Sequence, residues 1–210
     1  MVKKREKIAV LFALVLLIGG CVDTKNLSLP NAVSLISGDQ KIVISAPKGF
    51  CVDQRLASKT ASATTLFIID CVKVNNPNSV MSKRRPISAI LTATVVDFES
   101  SEIKDISKLK ELLTRKPGIN YLSKAHTNTL LKVHQVEIKK DLLLFLIEQR
   151  GSDIGVKQSN YFWRVFFIID GRIVSMTGSN FSESSNSIRK LEKLINEFAK
   201  NTIAANIKED

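Results

Sequence analysis

The sequence predicts an α+β fold in which an antiparallel β-sheet carries helices on its faces. Three observations predict it. Short runs rich in Val, Ile, Phe and Thr recur between tight polar turns, the pattern of strands joined as hairpins. Several of these runs, 66–69, 142–147 and 162–169, are apolar at successive rather than alternate positions, so the sheet they build is covered on both sides. Two segments, 105–115 and 184–201, carry their apolar residues at helical spacing instead. With 210 residues, 44% of them hydrophobic, the chain suits one core of ordinary size. A collagen-like or wholly disordered chain is excluded.

In chain order, the first element is a targeting segment. Lys3, Lys4, Arg5 and Lys7 surround Glu6, an apolar run follows at 8–18, and Gly19, Gly20 and Cys21 come next. A charged start, an apolar stretch of about 7–15 residues and small residues before a cut make a secretory signal peptide. The run is shorter than the roughly 20 apolar residues of a transmembrane helix. Ile18-Gly19-Gly20-Cys21 resembles the lipobox of bacterial lipoproteins, a branched aliphatic residue and two small residues before Cys. In that family the cut falls before the Cys, here between Gly20 and Cys21. The thiol receives diacylglycerol and the freed amino group is acylated. The alternative is a plain secretory signal followed by a Cys. Each buried methylene contributes about 0.8 kcal/mol and stable anchoring takes more than one chain, so a tri-acylated Cys21 stays on the membrane. Val22, rather than Asp, follows it; resemblance to enterobacterial sorting rules then implies the outer membrane, with the domain facing the periplasm.

The domain boundaries read as 1–20 signal peptide, 21–39 lipidated Cys and flexible tether, 40–202 domain and 203–210 tail. Residues 22–38 are polar, Asn- and Ser-dotted and contain Pro30, as a linker would. Their one apolar stretch, 32–36, is a candidate for docking on the domain. Strands follow at 41–46, 50–53, 65–74 and 87–98, with Pro47-Lys48-Gly49 as a turn and 57–64 and 75–86 as loops. A helix is predicted over 105–115: Ile106, Leu109, Leu112 and Leu113 share a face, Asp105 or Ser107 caps the start, and Arg115-Lys116-Pro117-Gly118 ends it. Strands at 129–138 and 142–149 flank a polar turn, and those at 161–169 and 172–178 flank Asp170-Gly171, the strongest hairpin signal in the chain. The closing helix at 184–201 aligns Ile188, Leu191, Ile195 and Phe198, with Arg189, Lys190, Lys193 and Lys200 elsewhere on the cylinder.

Ile44-Ser45-Ala46-Pro47-Lys48-Gly49-Phe50 resembles the early strand and turn of the Mog1/PsbP-type α/β/α sandwich, and 184–201 resembles its closing helix. Gly49-Phe50-Cys51-Val52-Asp53, Cys71, and Phe162-Trp163-Arg164-Val165-Phe166-Phe167 before Asp170-Gly171-Arg172 resemble a group of alphaproteobacterial lipoproteins and exported proteins of unassigned activity. The resemblance implies a Mog1/PsbP-like sandwich and brings no catalytic residue with it.

With Cys21 lipidated, Cys51 and Cys71 are an even pair in an oxidising compartment. They read as a disulfide closing a loop of about 20 residues, two buried free thiols being the alternative. No metal site or cofactor is expected, because there is no CxxC and His126 and His134 have no ligand-type residue beside them. No G-x-S-x-G, H-E-x-x-H, Walker or dinucleotide motif occurs. Asp53 and Asp70 are candidates for an acid pair, but their strand-end positions near the disulfide favour turn or edge roles. Asp97, Glu99, Glu102 and Asp105 precede a helix, where negative charge favours its N-terminal end.

The net charge is +11. Removing residues 1–20, with four basic and one acidic side chain, leaves +8. Basic clusters stand at Lys83-Arg84-Arg85, at Lys104, Lys108, Lys110, Arg115 and Lys116, and at Lys139-Lys140. They read either as solvated faces or as contacts to anionic lipid or cell-wall polymer. Nucleic acid is not an expected partner, because the aromatics read as buried rather than as a stacking stripe. The expectation is a lipid-anchored envelope protein acting as a non-catalytic binding or assembly module. The alternative is a periplasmic enzyme with a non-local active site.

Overall fold

The computed structural model describes residues 29–75, 78–84, 87–96, 103, 105–122, 130–150, 159–181 and 185–207. Hairpin turns set most of the architecture. Strands β1 (Ala32–Ser37) and β2 (Gln40–Ser45) join through Gly38-Asp39 and form their own two-stranded sheet. Gly38 there has φ +62°, a conformation glycine adopts without steric cost. Strands β3 (Phe50–Lys59), β4 (Ala63–Asp70) and β5 (Ala89–Val96) pair in sequence. Strands β6 (Leu130–Lys139), β7 (Leu142–Arg150), β8 (Tyr161–Ile169) and β9 (Arg172–Asn180) form a meander. Its last strand docks on β5, giving one antiparallel sheet of seven strands in the order β3-β4-β5-β9-β8-β7-β6. Asp170 and Gly171, at φ +46° and +75°, make the two-residue turn that such twisted hairpins favour.

The helices are α1 (Cys71–Asn75), α2 (Val80–Arg84), α3 (Ile106–Thr114), α4 (Lys116–Ile119) with a 3-10 turn at Asn120–Leu122, and α5 (Ser185–Ala204). Helix α3 starts as the spacing predicts, with Asp105 as N-cap accepting from the Ser107 amide. Helix α5 lays Leu191, Ile195 and Phe198 on one sheet face over Leu91, Trp163, Val165, Val174 and Met176, and β2 adds Ile42 and Ile44 to the same layer. Trp163 Nε1 donates to the Ile188 carbonyl at 3.1 Å and fixes the helix to β8. On the opposite face, Leu109 and Leu113 of α3 join Leu122, Phe145, Phe162 and Phe166. Burying a side chain of this size contributes about 1.5–3 kcal/mol, and the sheet gains from both faces. The α+β sheet with helices on its faces is what the apolar runs predicted.

Several boundaries differ from the sequence reading. The tether read over 21–39 contains β1, because Val33 and Leu35 pack against the core while Ile36 stays exposed. The loop read over 57–64 narrows to residues 60–62, with β3 and β4 running to either side. Strand 65–74 stops at Asp70, whose Oδ1 accepts from the Val72 amide at 2.9 Å and starts α1. The loop at 75–86 includes α2. The tail read over 203–210 begins inside the domain: α5 continues to Ala204, and the Asn206 amide side chain both accepts from the Val43 amide (2.8 Å) and donates to its carbonyl (2.7 Å).

Candidate functional site

The strand pairings give the sheet two ends. At the near end β3 and β8 begin and β4, β7 and β9 finish; at the far end lie the β6–β7 and β8–β9 turns. Cys51 and Cys71 form a disulfide at the near end, with Cα atoms 5.0 Å apart, joining β3 to α1. Asp53 and Asp70 do not converge. Asp53 is buried and holds Arg55 through two bonds, from Nε at 2.8 Å and Nη2 at 2.7 Å. This guanidinium keeps its carboxyl below the usual aspartate range. Asp70 alternates to the other sheet face and caps α1. Lys83 is exposed on α2 and Arg84 ends that helix. Gly20, Cys21, Arg85, Asp97, Glu99, Glu102, Lys104 and His126 lie outside the described residues. Among the described residues no three His, Cys, Asp or Glu side chains group as metal ligands.

One cluster escaped the sequence reading. Buried Glu148 accepts from His134 Nε2 at 2.8 Å and from Arg150 Nε at 2.5 Å, and the His134 ring lies 5.4 Å from that of Tyr161. The imidazole, then the guanidinium, hold the Glu148 carboxyl below its ordinary value. A regular hairpin would place residue 134 on the face opposite Glu148. The register shift between Val133 and Gln135 rotates it across, as a bulge does. A carboxylate-oriented imidazole suits proton transfer, but among the described bonds none brings a hydroxyl or thiol to it.

A second arrangement is a groove of about 900 Å³ between the β6–β7 turn and the C-terminal half of α5. Its apolar lining includes Leu142, Ile203, Ala204 and Ile207. Lys139 and Lys140 border one side, and Lys193 and Lys200, about two turns apart on one stripe of α5, the other. Lys139 bridges Glu192 at 2.9 Å and Glu137 at 3.0 Å, and those carboxylates hold its pKa above the ordinary lysine value. Glu197 accepts from the Lys48 amide at 3.2 Å. Glu137 and Glu192 engage Lys139, so Lys140, Lys193 and Lys200, beside Asp141 and Glu197, supply the rim's other charges next to the apolar lining.

A smaller cavity of about 340 Å³ sits by the first half of α5, lined by Ala89, Asn180, Phe181 and Leu191. Among the described residues no helix is long and apolar enough to cross a membrane. No protein-family model and no curated protein matches the chain. Among solved structures it is similar to the extracellular domain of PknH from Mycobacterium tuberculosis, with 9% identity and a TM-score of 0.31. The likeness covers 66% of this chain and 64% of that one.

Proposed function

We propose that the chain is a lipid-anchored cell-envelope protein, held at Cys21 on the outer membrane and facing the periplasm, that acts as a non-catalytic binding module for an acidic envelope partner. The observation that carries the binding role is the groove, where Lys140, Lys193 and Lys200 stand beside apolar lining residues. Such a rim attracts anionic groups and the lining takes the apolar part of what bears them. The lipobox supports the anchor, and the Cys51–Cys71 disulfide suits an oxidising compartment. An enzyme would build on His134 and Glu148, which stand five or six residues along the strands from the groove, roughly 17–20 Å.

The test is cosedimentation with purified peptidoglycan sacculi and with lipopolysaccharide. The wild-type chain is expected to bind at least one of them in a salt-sensitive manner, and the Lys193→Glu/Lys200→Glu chain at least tenfold more weakly. Equal binding by both chains, or binding by neither, contradicts the reading.

A further inference from the structure

The near end of the domain carries a surface that the groove does not use. Helix α2 exposes Val80 (63%) and Met81 (66%), and Ile87, just past it, is 45% exposed. Lys83 is exposed on the same short helix, while Ser82 turns inward and is buried. The helix is braced rather than loose. The Ser79 hydroxyl accepts from the Ser82 amide at 3.0 Å, and Lys73 Nζ of α1 donates to the Ser82 carbonyl. The disulfide then ties α1 to β3. Large apolar side chains held outward beside a lysine on a fixed support are costly to leave in water and have the composition of a bilayer-contacting surface.

The chain upstream says what faces this surface. Leu29 N donates to Asn75 Oδ1 of α1 at 2.8 Å, and the Val52 amide donates to the Pro30 carbonyl at 2.8 Å. The domain is therefore entered at α1, next to α2. Only residues 22–28 separate Leu29 from Cys21, a reach of at most about 29 Å. With Cys21 lipidated, the end bearing Val80, Met81 and Lys83 stays within that distance of the bilayer, while the groove opens beside the β6–β7 turn of the far end.

We propose that Val80, Met81 and Ile87, with Lys83 beside them, form a docking face for an anionic lipid bilayer, so that the domain lies with its α2 end on the membrane. The proposal rests on the lipid-anchor reading for its geometry, but the face has its own affinity. Apolar side chains enter the interfacial region while Lys83 meets lipid phosphates. One lysine near an anionic surface is worth about a fivefold change in binding, and the apolar residues add to it.

The experiment uses the full chain reconstituted in vesicles, with an environment-sensitive fluorophore on Met81→Cys and, in a control chain, on Ser62→Cys in the exposed β3–β4 turn at the far end. In vesicles containing phosphatidylglycerol, the label at position 81 is expected to shift to the blue and to be shielded from an aqueous quencher. The label at position 62 is expected to stay accessible. Lys83→Glu, or wholly zwitterionic vesicles, should reduce the shielding at position 81. Position 81 staying as accessible as position 62, or both being shielded alike, overturns the proposal. The Cys21→Ser chain, added to the same vesicles, separates the two readings. A shift at position 81 without the anchor upholds the docking face whatever the fate of the lipid, and no shift there refutes its affinity. Binding of the Cys21→Ser chain to sacculi through Lys83, with no response to lipid, would assign the face to the cell wall and also overturn it.

Discussion

Cys51 and Cys71 act on the fold by shortening the unfolded chain, since the bridge spans a sequence separation of 20 residues. The chain-entropy relation puts this at about 3 kcal/mol. The Cys51→Ala/Cys71→Ala chain should lose about that much unfolding free energy in urea titrations without loss of fold. The pairing was legible because removing Cys21 leaves only these two cysteines. The His134–Glu148 pair was not legible, since it depends on a bulge that no turn residue marks. Glu148 gives a pH test. Its pKa is lower in the folded chain than in the unfolded one, through His134 and Arg150. Its contribution is therefore complete above the ordinary glutamate pKa of about 4.3 and is lost as pH falls through the folded value. The wild-type thermal midpoint should drop more steeply below about pH 4.5 than that of Glu148→Gln. Parallel acid limbs would show that the carboxylate contributes nothing through ionisation.

Packing of α5 on the sheet depends on a residue with no side chain. A Cβ at Gly178 of β9 would meet Leu191 Cδ1 and Leu91 Cδ2 at 3.2 Å and Ile195 Cδ1 at 3.5 Å. That carbon fits only if the Leu191 and Leu91 side chains give by a few tenths of an ångström. Gly178→Ala is expected to destabilise the domain by about 1–2 kcal/mol through overpacking, read as a lower denaturation midpoint at unchanged slope. Elements with strong local signals were readable: α3 through its Asp105 cap, β8 and β9 through Asp170-Gly171, α5 through its apolar stripe. Two were less so. Strand β1 covers the apolar stretch 32–36 that reads as a docking candidate, but it lies within a polar, linker-like segment and its strand form comes from pairing with β2. Helix α1 reads Cys71-Val72-Lys73-Val74, a β-branched run, and becomes helical because Asp70 caps it at the point where the disulfide fixes its first residue. Tertiary context outweighs propensity in such short segments.

At the scale of the molecule the proposed roles divide between the two ends of the sheet. The near end receives the chain from Cys21 and presents Val80, Met81 and Lys83; the far end presents the lysine-rimmed groove. Strands of about nine residues set these ends roughly 30 Å apart. The two-sided antiparallel sheet was legible in the apolar runs, but the separation of β1-β2 from the seven-stranded sheet was not, and neither was the groove, because Lys139-Lys140 and the α5 lysines meet only once the chain has folded. The anchoring half of this orientation depends on the lipid at Cys21. Metabolic labelling with radioactive palmitate, followed by mass spectrometry of the mature N-terminus, measures it directly. The account predicts a labelled, membrane-bound chain beginning at acylated Cys21, and loss of label and membrane retention in Cys21→Ser. An unlabelled wild-type chain, or one whose mature N-terminus is not Cys21, would contradict it.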